Sequence, residues 1–356
     1  MNGSSTTKLE KAKYAINGMF LTKHKGGMVR FADQILLRLD QIAKPNEFEL
    51  VIPAYVKQAP NLENIPIVRY GSIKNLLWEQ ISFRRYVKKK RLIGVNLIGT
   101  CPIGKPDVVA IHDISQLVHP EWYSNFYGFL SKAYHKAMYR TAKKRAKLII
   151  TVSQFSKSEL VRVLKVDPER ILVAGNGWEH VDAVEEDDSI FDRNPKISKG
   201  DYYLSISSIT PQKNFCWVEM TASLNPGSVF VIGGERVGLT TQQTENRDNL
   251  IYLGRVSDAE MKALMSHCKA FIHPAKYEGF GITPLEALSV GAKLIIANSS
   301  CLPEIYGDSA VYIDPNKPVS DIDNYCRENA AAAAEVLKKY TWENMAKIIY
   351  KGLSEL

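Results

Sequence analysis

The sequence of 356 residues lacks the features that would place it among membrane-spanning, secreted or zinc-binding proteins. No run of about 18 apolar residues is present, so the sequence predicts no hydrophobic membrane-spanning helix. The N-terminal segment MNGSSTTKLEKAKYAING has no apolar core of the kind that a secretory signal contains. The five cysteines are scattered and form no CxxC pair. We therefore expect reduced thiols rather than disulfides, and no zinc site.

The composition is that of a folded chain with an uneven distribution of charge. Hydrophobic residues make up 45% and charged residues 24%, and the length favours two domains. The net charge is +8, but residues 1–180 carry 29 Lys and Arg against 14 Asp and Glu, whereas the remainder carries 17 against 24. The basic first half predicts an anionic partner: nucleic acid, an anionic membrane surface or a phosphorylated substrate.

Short apolar segments alternate with helical patterns along both halves. Val, Ile and Leu occupy both faces of these segments, which is typical of strands in a parallel sheet covered by helices. The sequence therefore predicts the α/β class, with two Rossmann-like domains whose parallel sheets face each other across a cleft. The predicted strands are Lys13–Ile16, Glu49–Pro53, Pro66–Val68, Arg91–Leu97, Asp107–His112, Lys147–Val152, Ile171–Val173, Tyr202–Ser207, Val229–Ile232, Leu250–Leu253, Ala270–His273 and Lys293–Ala297.

Composition also suggests the domain boundaries. We expect an N-terminal domain over residues 1–181 and a linker over residues 182–200, because that stretch is acidic, polar and aperiodic and contains a proline. A C-terminal domain is expected over residues 201–339, followed by a helix over residues 340–356.

The densest functional signal is Tyr277–Gly291, YEGFGITPLEALSVG. Glu278 and Glu286 lie eight residues apart, and two glycines follow a predicted buried strand. Ligands of open α/β sheets bind at the carboxyl ends of strands, where a carboxylate can accept hydrogen bonds from the vicinal hydroxyls of a ribose or hexose. The alternative is structural, since Thr283–Glu286 also has the pattern of a capping box with Thr283 at the N-cap.

Three further segments follow or precede predicted strands in positions that suit a ligand. Lys213-Asn214 lies between a strand and a helix, where a cation and exposed main-chain N–H groups form an anion site. Gly26-Gly27 precedes the first long helix, and His112 ends a predicted strand. Each also has a structural reading: a solvated lysine, a plain turn between strand and helix, and a buried histidine.

Two apparent motifs do not support a site. Gly99–Lys105 matches GxxxxGK, but Pro106 stands where a phosphate-binding loop needs Ser or Thr to hold magnesium. Asp321 and Asp323 form a bare DxD far into the C-terminal region, so we do not expect a metal site there.

Two basic segments in the first half are candidates for membrane contact. Arg84–Arg91 reads RRYVKKKR, and Lys132–Lys147 carries a cation at every fourth position of a predicted helix. Aromatic residues between Trp122 and Phe129 precede the second segment, and this combination suits the headgroup boundary of an anionic bilayer. The alternative is a solvated helix face with the aromatics in the core. No nucleic-acid-binding motif accompanies the charge.

Taken in order, these segments resemble the retaining glycosyltransferases of family 4, which have the GT-B fold. The similarity is greatest to mannosyltransferase-like and rhamnosyltransferase-like members that build bacterial surface polysaccharides. It runs nearly end to end, and the two glutamates stand at the family's E-x7-E spacing. The matching segments are Gly26-Gly27, Leu77-Trp78-Glu79-Gln80, Val109 to Asp113, Pro120, Thr151 to Ser156, Asn176-Gly177, Lys213-Asn214, Leu253-Gly254, Glu278–Gly281, Glu286-Ala287 and Pro303-Glu304.

The resemblance implies a role for each matched residue. Lys213 would neutralise the donor diphosphate, Glu286 would bind the ribose hydroxyls and Glu278 would hold the transferred sugar. Gly26-Gly27 would bring main-chain amides to the phosphates, and His112 would contact the donor sugar near the reacting centre. The resemblance thus implies that His112, Lys213 and Glu278 form the catalytic set. Further donor contacts are expected from Ser208, Asn214, Arg255, Val256, Gly279, Phe280, Gly281 and Ile282.

The sequence departs from the family pattern at one position. Many members place an arginine five residues before the lysine as a second cation for the diphosphate, and Ser208 stands there in this sequence. The identity of the second cation is therefore open, with Arg255 as a candidate. The resemblance also implies base recognition around Gly254–Asp258, and a C-terminal helix, 340–356, that crosses back onto the first domain.

The implied reaction transfers a hexose or deoxyhexose of mannose, rhamnose or glucose type from a nucleotide diphosphate sugar. It would proceed with retention by front-face substitution and without a metal ion or other cofactor, because cations and helix N-termini stabilise the leaving diphosphate. The acceptor would be a saccharide, lipid-linked through a diphosphate, at the inner face of the plasma membrane, with the enzyme itself cytoplasmic and peripheral. A sugar-nucleotide epimerase or hydrolase of the same fold and a basic non-enzymatic binding protein remain as alternatives.

Overall fold

The fold, known from a computed structural model, is described for residues 12–24, 26–123, 126–235 and 247–356, with side chains omitted for residues 126–131. Strands and helices alternate along the chain. The strands are β1 (Tyr14–Asn17), β2 (Phe48–Ile52), β3 (Ile67–Arg69), β4 (Ile93–Asn96), β5 (Val108–Ala110), β6 (Leu148–Thr151), β7 (Ile171–Val173), β8 (Tyr202–Ile206), β9 (Val229–Gly233), β10 (Leu250–Gly254), β11 (Ala270–His273), β12 (Leu294–Ala297) and β13 (Ala310–Ile313).

The helices cover the strands on both faces. They are α1 (Gly27–Ile42), α2 (Asn75–Leu77), α3 (Arg84–Lys90), α4 (Ser115–Val118), α5 (Phe126–Arg145), α6 (Gln154–Leu164), α7 (Ser189–Arg193), α8 (Phe215–Leu224), α9 (Asp258–Ser266), α10 (Ile282–Ser289), α11 (Leu302–Tyr306), α12 (Ala330–Lys339) and α13 (Trp342–Ser354). A π-helical segment, Trp78–Phe83, joins α2 to α3. Within the described ranges, none of these helices has both the length and the apolar composition that crossing a bilayer requires.

The strands form two sheets in which every pair is parallel. The first has the order β3-β2-β1-β4-β5-β6-β7 and the second the order β10-β9-β8-β11-β12-β13. Strand order reverses between β1 and β4 in the first sheet and between β8 and β11 in the second. Such switch points open a crevice at the carboxyl ends of the strands, where doubly wound sheets bind ligands.

These two sheets confirm the predicted fold class, and most predicted strands agree with the structure to within one or two residues. Two details differ. Strand β13 at the edge of the second sheet was not predicted, and α7 lies inside the segment that was interpreted as an aperiodic linker. All five cysteines are free, as predicted.

Helix α13 packs against the first sheet's layer although it follows the second sheet in the chain. It contacts α1 and β6, and the hydroxyl of Tyr14 in β1 donates to the carbonyl oxygen of Leu353. Its N-terminus is held by the carboxylate of Glu179, which accepts from the main-chain N–H of Trp342 at 2.7 Å. A carboxylate at a helix N-terminus is stabilised by the helix dipole, so this contact fixes where the helix begins.

This docking leaves no room for a side chain at Gly177. A Cβ atom there would lie 2.1 Å from the main-chain nitrogen of Trp342. We expect Gly177→Ala to cost roughly 1–3 kcal/mol, because helix α13 must shift to relieve the overlap. Thermal unfolding would measure this as a melting temperature several degrees below that of the unmodified protein. Gly227→Ala is the matched control, since nothing lies within 4 Å of a Cβ there. Equal melting temperatures for the two variants would contradict the packing described.

Candidate functional site

A largely buried charge cluster lies at the carboxyl ends of β8 and β11, the switch point of the second sheet. Lys213 follows β8 in a short 3-10 turn, and its ammonium contacts Oε1 of Glu278. His273, the last residue of β11, places Nε2 2.8 Å from the same oxygen. The main-chain N–H of Glu278 donates to Ser300 Oγ at 2.9 Å. Two predicted site residues, Lys213 and Glu278, are therefore in direct contact.

The cluster fixes the protonation of its members. Burial by itself would raise the pKa of Glu278, but the Lys213 charge and the hydrogen bond from His273 outweigh it and lower the pKa to about 2. Burial also lowers the pKa of His273, despite its carboxylate partner, so the neutral ring donates Nε2–H to Glu278. Glu278 is consequently ionised at neutral pH, and its charge holds that of Lys213 in place.

Two glycines shape the loop between β11 and α10. A Cβ atom at Gly279 would lie 2.5 Å from the carbonyl oxygen of His112, so the two halves of the chain meet at this residue. Gly281 has φ +80°, a conformation that favours glycine, and a Cβ there would lie 2.8 Å from Leu302 Cδ2. At both glycines, neighbouring residues therefore pack directly against the main chain of the loop.

Hydrogen bonds fix the same junction. The carbonyl oxygen of Gly279 accepts from Ser153 Oγ at 2.7 Å and from Ser156 Oγ at 3.3 Å. Ser156 Oγ also lies 3.0 Å from the carbonyl oxygen of His112. Ser153 is the N-cap of α6. The N-terminus of α6 thus connects His112, which follows β5 in the first sheet, to the glycine loop that follows β11 in the second.

The N-terminus of α6 also binds a carboxylate from the second half. Glu304 accepts from the main-chain N–H groups of Gln154 at 2.7 Å and Phe155 at 2.8 Å. Negative charge at a helix N-terminus is favourable, so this contact adds to the closure of the cleft.

Glu286 does not cap its helix, so the capping-box alternative is wrong. Helix α10 begins at Ile282 with Gly281 as its N-cap, which places Thr283 inside the first turn. The carboxylate of Glu286 is 3% exposed and instead contacts His180 and Arg30. The left-handed conformation of Gly281 is the reason, because it lets the helix start two residues earlier than the Thr-Pro pattern indicates.

The tautomer of His180 follows from its two partners. Trp342 Nε1 can only donate, and it lies 2.9 Å from His180 Nδ1, which therefore accepts. The proton is then on Nε2, which donates to Glu286 Oε1 at 2.8 Å. The C-terminal helix thereby orients a carboxylate in the second half through a histidine in the connecting segment.

Arg30 links the two halves across the cleft. Its Nη1 lies 3.3 Å from Glu286 Oε1 and its Nη2 lies 3.0 Å from Asp258 Oδ1. Arg30, His180 and His273 were not among the site residues predicted from the sequence. A signal existed for the first two, since Arg30 is one helical turn after Gly27 and His180 lies three residues after Gly177.

His112 and the Gly26-Gly27 loop approach the site from the first half. The ring of His112 packs edge-on against Phe31, with centroids 4.7 Å apart. Its Nε2 lies 3.1 Å from the carbonyl oxygen of Leu97, which only accepts, so Nε2 carries the proton. Burial lowers the pKa of His112, which leaves Nδ1 of the neutral ring as an acceptor. A Cβ atom at Gly27 would lie 3.5 Å from Ile282 Cγ2, so α1 and α10 begin face to face.

Two further predicted donor contacts, Asn214 and Phe280, make packing or hydrogen-bond contacts with other parts of the protein. Asn214 has φ +59°, and its amide nitrogen donates to the carbonyl oxygens of Pro274 and Pro315, so its side chain holds neighbouring loops. Phe280 is buried against Tyr340, with ring centroids 5.2 Å apart.

Three predicted residues lie near the ends of β8 and β10. Ser208 and Arg255 are exposed, and Val256 packs partly buried against the main core. Arg255 makes no ion pair with any residue that the structure describes.

A second polar network occupies the switch point of the first sheet. Glu79, fully buried in the π-helical segment, accepts from Asn17 Nδ2 at 2.9 Å, Thr100 Oγ1 at 2.7 Å and Tyr134 OH at 3.1 Å. Asn17 also donates to Asn96 Oδ1 at 2.9 Å. Burial is the dominant influence and raises the pKa of Glu79. The network ties the ends of β1 and β4 to the segment after β4, on the side of the cleft opposite the charge cluster.

Neither candidate for metal binding lies in the cluster. Asp323 of the DxD accepts from Tyr203 OH and Lys269 Nζ, and these bonds lower its pKa. In the described part of the chain, Glu186, Asp188 and His267 bring ligand atoms within 4.8 Å of one another, but the two carboxylates are exposed and Lys199 pairs with Asp188 at 2.6 Å.

Comparisons with known proteins agree with this arrangement. Residues 25–180 match the family described as Glycosyltransferase Family 4, and residues 186–328 match Glycosyl transferases group 1. The chain thus matches a glycosyltransferase family model in each of its halves. It has the GT-B fold, and the enzyme is a glycosyltransferase.

Relatives of this glycosyltransferase include two O-antigen enzymes. It is 26% identical over 268 residues to the O-antigen chain mannosyltransferase RfbU of Salmonella typhimurium, covering 72% of this chain and 71% of that protein. It is 28% identical over 261 residues to O-antigen chain mannosyltransferase B of Escherichia coli, covering 67% of each. Among solved structures, HepE of Anabaena in complex with UDP-glucose matches with a TM-score of 0.66, at 16% identity, over 97% of this chain and 100% of that one.

The depressed pKa of Glu278 predicts a pH dependence of stability. Its pKa in the fold is about 2, against 4.5 ordinarily, so the ionised group stabilises the fold above about pH 4.5 and loses that effect as the pH falls toward 2. We expect the difference in melting temperature between the glycosyltransferase and Glu278→Gln to shrink between roughly pH 5 and pH 3.

Thermal unfolding of both proteins across this range measures the effect. Glu335→Gln, at an exposed position of α12, is the control and is expected to show no such change. A Glu278→Gln difference that stays constant from pH 5 to pH 3 would contradict the assigned charge cluster.

Proposed function

We propose that this glycosyltransferase moves a mannosyl or closely related hexosyl group from a nucleotide diphosphate sugar to a saccharide acceptor of a bacterial surface polysaccharide. The observation that carries the proposal is the contact between Lys213 and Glu278 at the switch point of the second sheet. It supplies a cation for a diphosphate and a carboxylate for sugar hydroxyls at one place. The named activity of the two O-antigen relatives supports mannose as the transferred sugar.

Lys213 is the proposed partner of the leaving diphosphate. Negative charge builds on the diphosphate as the glycosidic bond breaks, and a cation fixed beforehand in a buried site stabilises that charge strongly. Lys213 is fixed by Glu278, so it can meet the phosphate with little rearrangement. The start of α1 behind Gly26-Gly27 and the start of α10 add main-chain N–H groups with the same polarity.

Glu278 and Glu286 are the proposed contacts for the two sugars of the donor. Glu278, with the main chain of Gly279–Gly281, would accept hydrogen bonds from the transferred hexose. Glu286 would accept from the ribose, and His180 orients its carboxylate for that task. Nδ1 of His112 is the acceptor that the first half offers to the hexose.

Substitution would occur on one face of the sugar, with retention. The bond from the anomeric carbon to the diphosphate oxygen breaks and the bond to the acceptor oxygen forms on the same side. The acceptor proton passes to a phosphate oxygen.

A double displacement needs a free carboxylate nucleophile beside the anomeric carbon. Glu278 is a poor candidate for that role, because Lys213 and His273 stabilise its negative charge and lower its pKa, which weakens it as a nucleophile. Lys213 and the helix termini supply the positive potential that a metal ion provides in other enzymes.

The acceptor and location complete the proposal. The acceptor would be lipid-linked at the inner face of the plasma membrane, with the enzyme cytoplasmic. The basic segments Arg84–Arg91 and Lys132–Lys147 would face that membrane. Nucleic acid is not expected to bind.

Removal of the Lys213 charge tests the leaving-group role. We expect Lys213→Ala to lower kcat by roughly 10²–10³, the size found when one preorganised electrostatic contact to a transition state is lost. The assay follows release of nucleoside diphosphate from GDP-mannose, UDP-glucose and dTDP-rhamnose in the presence of a lipid-linked saccharide. Lys276→Ala, an exposed lysine beside the same loop, should retain its activity. Equal loss in both variants would contradict the assignment.

Removal of Glu286 tests the ribose contact. We expect one of UDP, GDP and dTDP to raise the melting temperature of the unmodified enzyme and to have little effect on Glu286→Ala, because a ligand stabilises only a state that binds it. Glu335→Ala is the control. Retained stabilisation of Glu286→Ala would exclude this role for the carboxylate.

The same assays separate the alternative activities. Release of free or isomerised sugar without an acceptor would favour a hydrolase or epimerase. Binding of polyanions with no effect of any nucleotide would favour a basic binding protein.

A further inference from the structure

A cavity of about 420 Å³ lies on the first sheet's layer, between α3, the end of α5 and the segment that connects β4 to β5. Phe83, Val87 and Pro102 form its apolar part, and Arg84, Lys88, Lys105 and Arg145 surround it with positive charge. It shares no lining residue with the donor site. Arg84 and Lys88 belong to one predicted membrane segment and Arg145 to the other, so the two segments meet at this cavity.

Two guanidinium groups converge on one dipeptide at the cavity. Arg84 Nη1 donates to the carbonyl oxygen of Ile103 at 3.3 Å, and Arg145 Nη1 donates to that of Gly104. A Cβ atom at Gly104 would lie 3.4–3.6 Å from three atoms of the Arg84 guanidinium, so this group lies flat against the glycine. Each guanidinium has five N–H donors, and these bonds use only one of them in each.

In the described part of the chain, no carboxylate forms an ion pair with the convergent charges. None of the four cations has a carboxylate oxygen within 4 Å among the residues that the structure describes. The one acid in the lining, Asp107, is 5% exposed and accepts from the main-chain N–H of Gly94 at 3.1 Å. Like charges held close together destabilise the fold, and an oxyanion between them converts that repulsion into charge-assisted hydrogen bonds.

We propose that this cavity binds the phosphate group of an anionic ligand, through the guanidinium forks of Arg84 and Arg145 with Lys88 and Lys105 at its edge. Planar forks suit a phosphate, which accepts two parallel N–H bonds from each. Phosphate reaches such a site either as the headgroup of an anionic lipid or as a free or soluble phosphate compound. The proposal does not rest on glycosyl transfer, and its test needs no donor.

The test compares two double variants that remove equal charge from the same two helices. Arg84→Gln with Arg145→Gln removes the forks, and Arg85→Gln with Arg140→Gln is the matched control outside the lining. Inorganic phosphate and pyrophosphate are titrated against each by thermal shift. Phosphate bound at Lys213 contributes equally to both. We expect binding to be roughly tenfold weaker or more in the first variant than in the control.

A second measurement identifies the source of the phosphate. Both variants are sedimented with vesicles of phosphatidylcholine, with and without an equimolar amount of phosphatidylglycerol. A lipid headgroup is assigned if Arg84→Gln with Arg145→Gln binds phosphate more weakly than the control and also sediments less with the anionic vesicles. Loss of phosphate binding with equal sedimentation assigns a soluble phosphate compound. Arg84→Lys with Arg145→Lys, which keeps the charge without the forks, should bind phosphate at an intermediate level.

Two results would overturn the proposal. Equal loss of phosphate binding in both double variants would show that only diffuse surface charge is at work. Phosphate binding unchanged in Arg84→Gln with Arg145→Gln would show that the cavity does not hold the anion. Melting temperatures without added phosphate establish that each variant is folded.

Discussion

The ion pair between the buried carboxylate of Glu278 and the partly buried ammonium of Lys213 is the interaction on which the rest of the site depends. A buried charge is stable only when it is paired, and each of these groups is the partner of the other. The carboxylate remains ionised because the lysine and His273 outweigh the effect of burial on its pKa. The lysine is thereby held in one position at the switch point. A diphosphate that binds there therefore meets a cation that is already held in place.

The halves of the chain are joined by contacts that use the same few residues as the site. Gly279 accepts hydrogen bonds from Ser153 and Ser156, and its lack of a side chain lets it approach His112. Arg30 and His180 converge on one oxygen of Glu286, and Trp342 of the C-terminal helix sets the tautomer of that histidine. The contacts that close the cleft are therefore the same ones that position the Gly279 loop and the carboxylate of Glu286.

The sequence predicted the class of fold and the strands well, because apolar segments in parallel sheets are recognisable by composition alone. Lys213 and Glu278 were placed in one catalytic set only by the resemblance to the family 4 glycosyltransferases, and the structure brings them into contact. Prediction from the sequence failed where the chain conformation is set by tertiary contacts. The left-handed Gly281 moves the start of α10 and frees Glu286 from a capping role. Arg30 and His180 reach Glu286 from 256 and 106 residues away in the chain. Their nearness to Gly27 and to Asn176-Gly177 marks them as candidates, but it does not reveal their contact with Glu286.

The most direct test of this account is the affinity of Lys213→Ala for nucleoside diphosphate and nucleoside monophosphate of the same base, measured by titration calorimetry beside the unmodified enzyme. The account predicts that the unmodified enzyme prefers the diphosphate and that the variant loses this preference while still binding the nucleoside part through Glu286. A variant that keeps the full preference for the diphosphate would contradict the role of the Lys213–Glu278 pair as the diphosphate anchor.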